Sequence, residues 1–333
     1  MKKYNVCVVG IGAVGTEMVR LLEKRNFPIK ALTILARSER METIDKKEYA
    51  VKIASEEAFD GMDFAFFAGT EGSKGASKLF GEAATSRGCT VIDNGDDFRM
   101  DPWVPLVIPE INPEALEHSK GFIANPNCST IIALMALAPL YKKNRIKRIV
   151  ASTYQAVSGT GAGAVQELKQ QIADWGREYP LARKVYPHQI LLNVIPAVGS
   201  FKDQSGESTE EIKMRREIQK ILGDVSIKVS NTCVRVPVLN AHSVSMNVEF
   251  ENPISQYEAR DILRGASGVR VVDNPLADLY PMPIDASGIE EVLVGRIRED
   301  LSVENGLVLW CSGDNIWKGA ALNAIQIAEY LIR

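Results

Sequence analysis

Two textures of apolar and polar positions divide the 333 residues. In the first, short apolar runs alternate with amphipathic stretches. YNVCVVG (residues 4–10) gives way to apolar positions at helical spacing from Val14 to about Arg25. Then come IKALTILA (29–36), MDFAFFAG (62–69), a helical stretch near 72–87, CTVIDN (89–94), PLVIPEIN (105–112) and GFIAN (121–125). Strands alternating with helices require right-handed crossovers, so this part predicts an α/β, mostly parallel sheet of the Rossmann type. From IKRIVASTYQAVSG (146–159) onward the runs lengthen and alternate, as in NTCVRVPV (231–238) and SVSMNVEF (243–250). That pattern predicts a second, α+β domain whose sheet has one exposed face. The closing DNIWKGAALNAIQIAEYLI (314–332) is spaced as an amphipathic helix that can return to the first domain. No repeat or low-complexity linker marks the border, which is expected near residue 128.

A chain of this length exceeds one comfortable core, in keeping with two domains. The formal net charge of −3 leaves no electrostatic footprint for nucleic acid. No run of about 18 apolar residues is present to span a membrane. The opening MKKYNVCVVGIGAVG superficially resembles a signal peptide, but its apolar part is short and broken by glycines. It reads as a first strand, and a cytoplasmic protein is expected.

The glycines fall in the arrangement Gly10-x-Gly12-x-x-Gly15, between the first strand and the first helix. Glycines there allow a tight turn and close backbone approach to a pyrophosphate lying on the helix N-terminus. Gly10, Gly12, Ala13, Val14 and Gly15 are therefore candidate dinucleotide contacts. An NAD site usually carries an acidic residue about 20 residues further on. Here that region reads Ala36, Arg37, Ser38, with Glu39 only beyond them. A guanidinium and a hydroxyl suit a 2′-phosphate, so NADP is the expected cofactor; Arg37 fits a solvated turn equally well.

The five cysteines, at 7, 89, 128, 233 and 311, are odd in number, scattered and without a C-x-x-C pair. Neither a disulfide framework nor a zinc site is expected, and no other metal-ligand spacing is visible. Four lie in strand-like runs, where Cys behaves as a small hydrophobe. Cys128 alone follows a turn, Asn125-Pro126-Asn127, and opens a helix. Unpaired N–H groups and the positive end of the dipole at that position favour the thiolate and can hold an oxyanion. By position alone Cys128 is balanced between a nucleophile and a buried side chain capping a core helix. A nucleophile needs a proton-transfer partner. Of three histidines, His118 and His188 lie in polar, turn-like stretches, whereas His242 borders the strongest strands of the second half, seven residues after Arg235. On one unbroken strand that odd separation would point the two to opposite faces. Pro237 and the step through Leu239-Asn240-Ala241 offer a break that brings both to one cleft.

Over nearly its whole length the chain resembles the aspartate-β-semialdehyde dehydrogenase family. The resemblance is carried by NPNCSTI (125–131), YQAVSGTG (154–161), EEIKM (210–214), TCVRVPV (232–238) with AHS (241–243), VGRIRED (294–300) and DNIWKGAALNAIQIAE (314–329). It implies an enzyme that converts β-aspartyl phosphate to aspartate semialdehyde with NADPH, releasing phosphate, on the way to lysine, threonine and methionine. Cys128 is then the nucleophile that forms a thioester, His242 the acid/base, and Gln155 the residue orienting the substrate. Arg235 is similar to the arginine that grips the α-carboxylate. Glu210 and Lys213, on one helix face, resemble the pair meeting the substrate amine and the phosphate; Ser208 and Glu211 also form a capping box there. Arg99, in DNGDDFRM, resembles a second phosphate-binding arginine, and Asn127 a further substrate contact. Ser158, Gly159, Asn315 and Gln326 fall in motifs that the resemblance assigns to the cofactor. It further implies an NADP-binding domain of residues 1–127 plus 314–333, and a catalytic and dimerisation domain of 128–313 forming a homodimer or homotetramer.

Three departures from the family pattern stand out. The glycine loop GIGAVG is one residue shorter, NGDDFR replaces NSSAFR, and Ala241 replaces a glycine before the histidine. The last is expected to be mild unless the backbone there needs positive φ. Two rival readings remain. A related acyl-phosphate or acyl-thioester reductase has no use for the amine contact at Glu210. A non-catalytic paralogue typically lacks the cysteine that is present here.

Overall fold

The computed structural model describes residues 2–69 and 75–333. The chain forms two compact units: residues 1–127 with 320–333, and residues 128–319. Asp314–Gly319 thus pack with the second unit, whereas the sequence reading breaks the chain at 314. The Asp314 carboxylate explains this, since it accepts from Asn240 Nδ2 and from the Gly288, Ile316 and Trp317 amides, all in that unit.

In the first unit β1 (Tyr4–Val9), α1 (Ala13–Lys24) and β2 (Ile29–Ala36) form the opening crossover. A hairpin of β3 (Arg40–Ile44) and β4 (Lys47–Ile53) follows, then β5 (Phe64–Phe67), α2 (Ala76–Ser86), β6 (Thr90–Asp93) and β7 (Phe122–Ala124). The sheet order is β3-β4-β2-β1-β5-β6-β7, parallel except for the hairpin. β5 reads FAFF and is buried at every position, as a strand covered on both faces must be. Residues 72–74 of the helix expected near 72–87 lie outside the described residues. The C-terminal helix Leu322–Leu331 belongs to this unit, where Glu329 pairs with Arg25, which follows α1, at 2.7 Å.

Two local features differ from the sequence reading. The β3–β4 hairpin is absent from the sequence reading because its turn, Asp45-Lys46, lacks the glycine that signals such turns. Both residues nevertheless adopt positive φ (47° and 69°). PLVIPEIN forms no strand; it makes one isolated bridge, Leu106 with Ala124. Pro105 and Pro109 have no N–H to give a ladder. The Asn112 side chain instead turns the segment, accepting from the Ile108 N–H and donating to the Leu106 carbonyl, each at 2.9 Å.

The second unit begins with α3 (Cys128–Tyr141), whose residues from Ser129 to Ala138 are all buried. Each large apolar side chain there contributes about 1.5–3 kcal/mol on burial. A helix apolar all round must be a core helix. β8 (Ile146–Gln155), α4 (Ala162–Trp175), α5 (Thr209–Leu222), β9 (Lys228–Arg235) and β10 (His242–Phe250) follow. After a short helix (Gln256–Arg264) come β11 (Val269–Val271), β12 (Val292–Glu299) and β13 (Gly306–Gly313). The mixed sheet has the order β11-β12-β13-β10-β8-β9.

Candidate active site

The sheet order sets β8 between β9 and β10, and these strands finish or begin at one edge. Gln155 ends β8 and is in register with Arg235, which ends β9. His242 starts β10, whose next residue, Ser243, pairs with Tyr154. Gln155 thus meets Arg235 and His242, some 80 residues further on, at one end of the second unit's sheet, all three at least 95% buried. The break at residues 236–241 ends β9 and re-enters the sheet across β8, which removes the odd-spacing problem of a single strand.

The backbone of one residue joins two of them. The Ala156 N–H donates to His242 Nδ1 at 3.0 Å, and the Ala156 carbonyl accepts from Arg235 Nη1 at 2.6 Å. A Cβ on Gly159 would lie 3.0 Å from both Arg235 Nη1 and His242 Nε2, so these nitrogens are within twice that distance of each other. Glycine at 159 is what leaves room for both. Complete burial, and then the Arg235 guanidinium, hold the His242 pKa well below its ordinary value. His242 Nε2 is buried and has no hydrogen-bond partner among the described residues.

Gln155 Nε2 donates to Thr153 Oγ1 and to Glu210 Oε1, both at 3.3 Å. Glu210, buried, lies in the first turn of α5, and half-buried Lys213 is one turn on. The capping box of Ser208 and Glu211 is present. Glu211 Oε1 also accepts the Cys233 N–H at 2.9 Å, tying the start of α5 to β9.

Cys128 is the first residue of α3 and is only half-buried. A Cβ on Gly319 would sit 2.9 Å from Cys128 Cβ, so the chain passes close beside the thiol because position 319 has no side chain. The other four cysteines are buried. Burial pushes the Cys89 and Cys311 thiols up to about 12 and raises Cys7 and Cys233 as well. These four stay protonated and inert at neutral pH.

Ala241 has φ +69°, so the condition under which its exchange for glycine would be mild is not met. A left-handed non-glycine residue costs about 1–2 kcal/mol. Asn315 Oδ1 holds the conformation by accepting the Ala241 N–H at 2.9 Å, and the same oxygen accepts from Ser158 Oγ at 3.1 Å. Asn315 Nδ2 is a buried donor without a partner among the described residues, which suits an amide carbonyl such as a nicotinamide carries.

In the first unit Gly10 has φ +95°, and Gly12 caps α1 with open space where a Cβ would be. A Cβ on Gly15 would lie 1.9 Å from the Gly10 carbonyl oxygen, so no larger residue fits the loop. Ala13 and Val14 form the first turn of α1, half-buried. Beside the loop lies a cavity of about 300 Å³ lined by Gly10, Gly12, Arg37, Ser38, Arg40 and Phe80 among others. Cavity, glycine cradle and cations fit a dinucleotide. Arg99 is buried, donating to the carbonyls of Asn94 (2.7 Å) and Asn125 (2.9 Å). Asp97 pairs with Lys78 at 3.1 Å, and the Asp96 carbonyl accepts the Arg99 N–H in a turn. The two aspartates thus shape a turn. Asn127, buried, ends this unit, and Gln326 is half-buried on the C-terminal helix.

The model described as "Semialdehyde dehydrogenase, NAD binding domain" matches residues 5–119, and "Semialdehyde dehydrogenase, dimerisation domain" matches 137–318. Aspartate-semialdehyde dehydrogenase from Aquifex aeolicus is 50% identical over 99% of this chain and 98% of its own. The chain belongs to the aspartate-semialdehyde dehydrogenase family. The Bacillus subtilis member of that family is 42% identical over 98% of this chain and 97% of its own. Aspartate semialdehyde dehydrogenase II from Vibrio cholerae superposes with a TM-score of 0.94 at 41% identity, covering 100% of this chain and 99% of that one. A structure of the same Vibrio enzyme complexed with ASA gives a TM-score of 0.94 at 40% identity. Like its relatives, this is an enzyme.

Sequence reasoning missed three contributors. Arg40 and Phe80 line the dinucleotide cavity, and Thr153 supports Gln155. Arg40 carries a faint signal, a third polar position after Arg37 and Ser38. Phe80 and Thr153 carry none, because an apolar helix residue and an alternating strand position look alike wherever they point.

Proposed function

We propose that the chain catalyses the reversible NADPH-dependent reductive dephosphorylation of L-aspartyl-4-phosphate to L-aspartate 4-semialdehyde through a thioester on Cys128. The observation that carries this reading is the convergence of Gln155, Arg235 and His242 at one sheet end, in the unit that opens with Cys128. Arg235 offers its fork to the α-carboxylate, and Glu210 its charge to the α-amine, so the pair selects an amino acid. Lys213 and Arg99 are the cations assigned to the phosphate, with Asn127 beside the nucleophile. Gln155, held by Thr153 and Glu210, orients the acyl group. His242 serves as the acid/base. A bound reduced nicotinamide supplies the hydride.

Gly10, Gly12, Ala13, Val14 and Gly15 take the pyrophosphate, and Arg37 and Ser38 the 2′-phosphate. Ser158, Gly159, Asn315 and Gln326 complete the set. No metal takes part. The second unit is the expected interface of a homodimer or homotetramer; its exposed Tyr154 packs against Trp310 with the rings tilted by 42°, and Trp310 lines an apolar cavity of about 330 Å³. A reducing cytoplasm suits five free cysteines. The product feeds lysine (through diaminopimelate), threonine and methionine synthesis.

The test is direct. The protein is mixed with aspartate semialdehyde, phosphate and NADP, and reduced nicotinamide is followed by absorbance. Turnover that disappears in Cys128→Ala is expected; none with the intact protein, or full turnover in the variant, overturns the reading. NAD in parallel reads cofactor preference.

A further inference from the structure

We infer that Tyr186 is a positioning residue for Arg235, and that residues 182–195 form the strap through which it acts. The inference rests on the reaction proposed above, in which Arg235 grips the substrate carboxylate, and adds what sets the place of that grip. β9 is the edge strand of its sheet, with β8 on one side. An open edge leaves a row of unpaired N–H and C=O groups. At Arg235 the strap closes that edge. The Ile195 N–H donates to the Arg235 carbonyl at 2.9 Å, and the Ile195 carbonyl accepts the Arg235 N–H at 2.8 Å. The backbone of Arg235 thus lies between Gln155 on the inside and Ile195 on the outside.

α4 holds the strap in place. Its Glu167 and Gln171, one turn apart and both buried, bond strap backbone. Glu167 Oε2 accepts the N–H groups of Lys184 and Val185. Gln171 donates to the Ala182 carbonyl at 2.8 Å and accepts the Leu191 N–H at 3.0 Å. Buried polar groups are costly to leave unbonded, so these four bonds fix the strap on both sides of residue 186.

Held there, Tyr186 packs its ring on a small core of Val157, Ala164, Leu168, Ile190, Leu191 and Ile195. Its hydroxyl donates to Thr160 Oγ1 at 2.9 Å. Burial raises the Tyr186 pKa, so the phenol keeps its proton and stays a donor at neutral pH; the nearby Arg235 guanidinium acts in the opposite sense. Thr160 ends the turn of residues 157–160, which follows directly on Ala156, the residue whose carbonyl accepts from Arg235 Nη1. Gly159, in the same turn, lies so close that a Cβ there would come within 3.0 Å of that nitrogen. A shift of the turn therefore moves the guanidinium. The strap reaches Arg235 at its backbone through Ile195, and at its side chain through Tyr186, Thr160 and the turn. A fork that meets a carboxylate in two bonds tolerates little misalignment, so the effect falls on substrate binding.

Tyr186→Phe removes the hydroxyl and keeps the ring, and Thr160→Val removes its acceptor. Each should raise KM for aspartate semialdehyde about fivefold, while kcat and KM for NADP change less than about twofold. In the Arg235→Lys background, Tyr186→Phe should add less than about twofold, because it acts through the guanidinium fork. An unchanged KM in either variant, or the same factor in both backgrounds, overturns the inference. A second readout needs no turnover. Hydrogen exchange, followed by mass spectrometry, should quicken in Tyr186→Phe within residues 156–161 and 232–236 and keep the wild-type rate in β13. Equal quickening in β13 would mean a general loss of stability, and no change at 156–161 would mean that the turn is held without Tyr186; either overturns it. A wild type without turnover would sink the proposed reaction while leaving the exchange readable, so the two failures are separable.

Discussion

The glycine loop and the strand-end cluster bring their groups together by opposite means. The loop works through adjacency: Gly10, Gly12 and Gly15 lie within one turn, and Gly15 is confined by the carbonyl of Gly10, five residues away. The cluster works through sheet order: Gln155, Arg235 and His242 meet only because β8 separates β9 from β10. Local devices are legible and replaceable as units. Non-local ones depend on registers that no single segment encodes.

The largest effect should come from the cluster's own unit. Cys128→Ala should lower kcat by at least about 10³-fold with little change in melting temperature, because it removes the proposed nucleophile and one half-buried sulfur. Next is the loop. Gly15→Ala drives a methyl against a carbonyl and should weaken NADP binding about 100-fold by calorimetry while destabilising the protein by about 3 kcal/mol. Intact affinity in that variant would show the loop to be softer than its geometry implies. Arg235→Lys keeps the charge but loses the fork; KM for the semialdehyde should rise about 30-fold or more while kcat falls less. A fall confined to kcat would detach Arg235 from substrate binding.

Smaller effects sharpen the contrast. His242 is held neutral, so the unfolded chain binds the extra proton below its ordinary pKa of about 6.5. Stability should therefore be unaffected by His242 above that value and fall below it, by up to about 1.4 kcal/mol per pH unit. Denaturant titrations of wild type and His242→Gln should diverge in that acidic window alone. Smallest is Ala241→Gly. It relieves a left-handed alanine but loosens the unfolded chain and removes a methyl packed on Ala286 and Leu293. The net change should stay within about 1 kcal/mol.

Legibility followed the same division. Alternating apolar runs were enough for the parallel sheet, and the helix-opening position of Cys128 set it apart from the other four cysteines. The β3–β4 hairpin was not readable, because Asp45 and Lys46 reach positive φ without the residues that normally announce it. The strand expected at PLVIPEIN failed because apolar content outweighed two prolines in the reading, whereas the backbone obeys the prolines.

By itself the sequence determined most of the elements, the glycine loop between β1 and α1 and the candidates Cys128, Gln155, Arg235 and His242. Local propensity and side-chain type are properties of the residues themselves. Only the tertiary structure decided that Ala156 joins His242 to Arg235, that Gly159 and Gly319 are small because of what lies against them, and that Ala241 turns left-handed. Each depends on groups dozens of residues apart reaching hydrogen-bonding or van der Waals distance, and that proximity is created by packing.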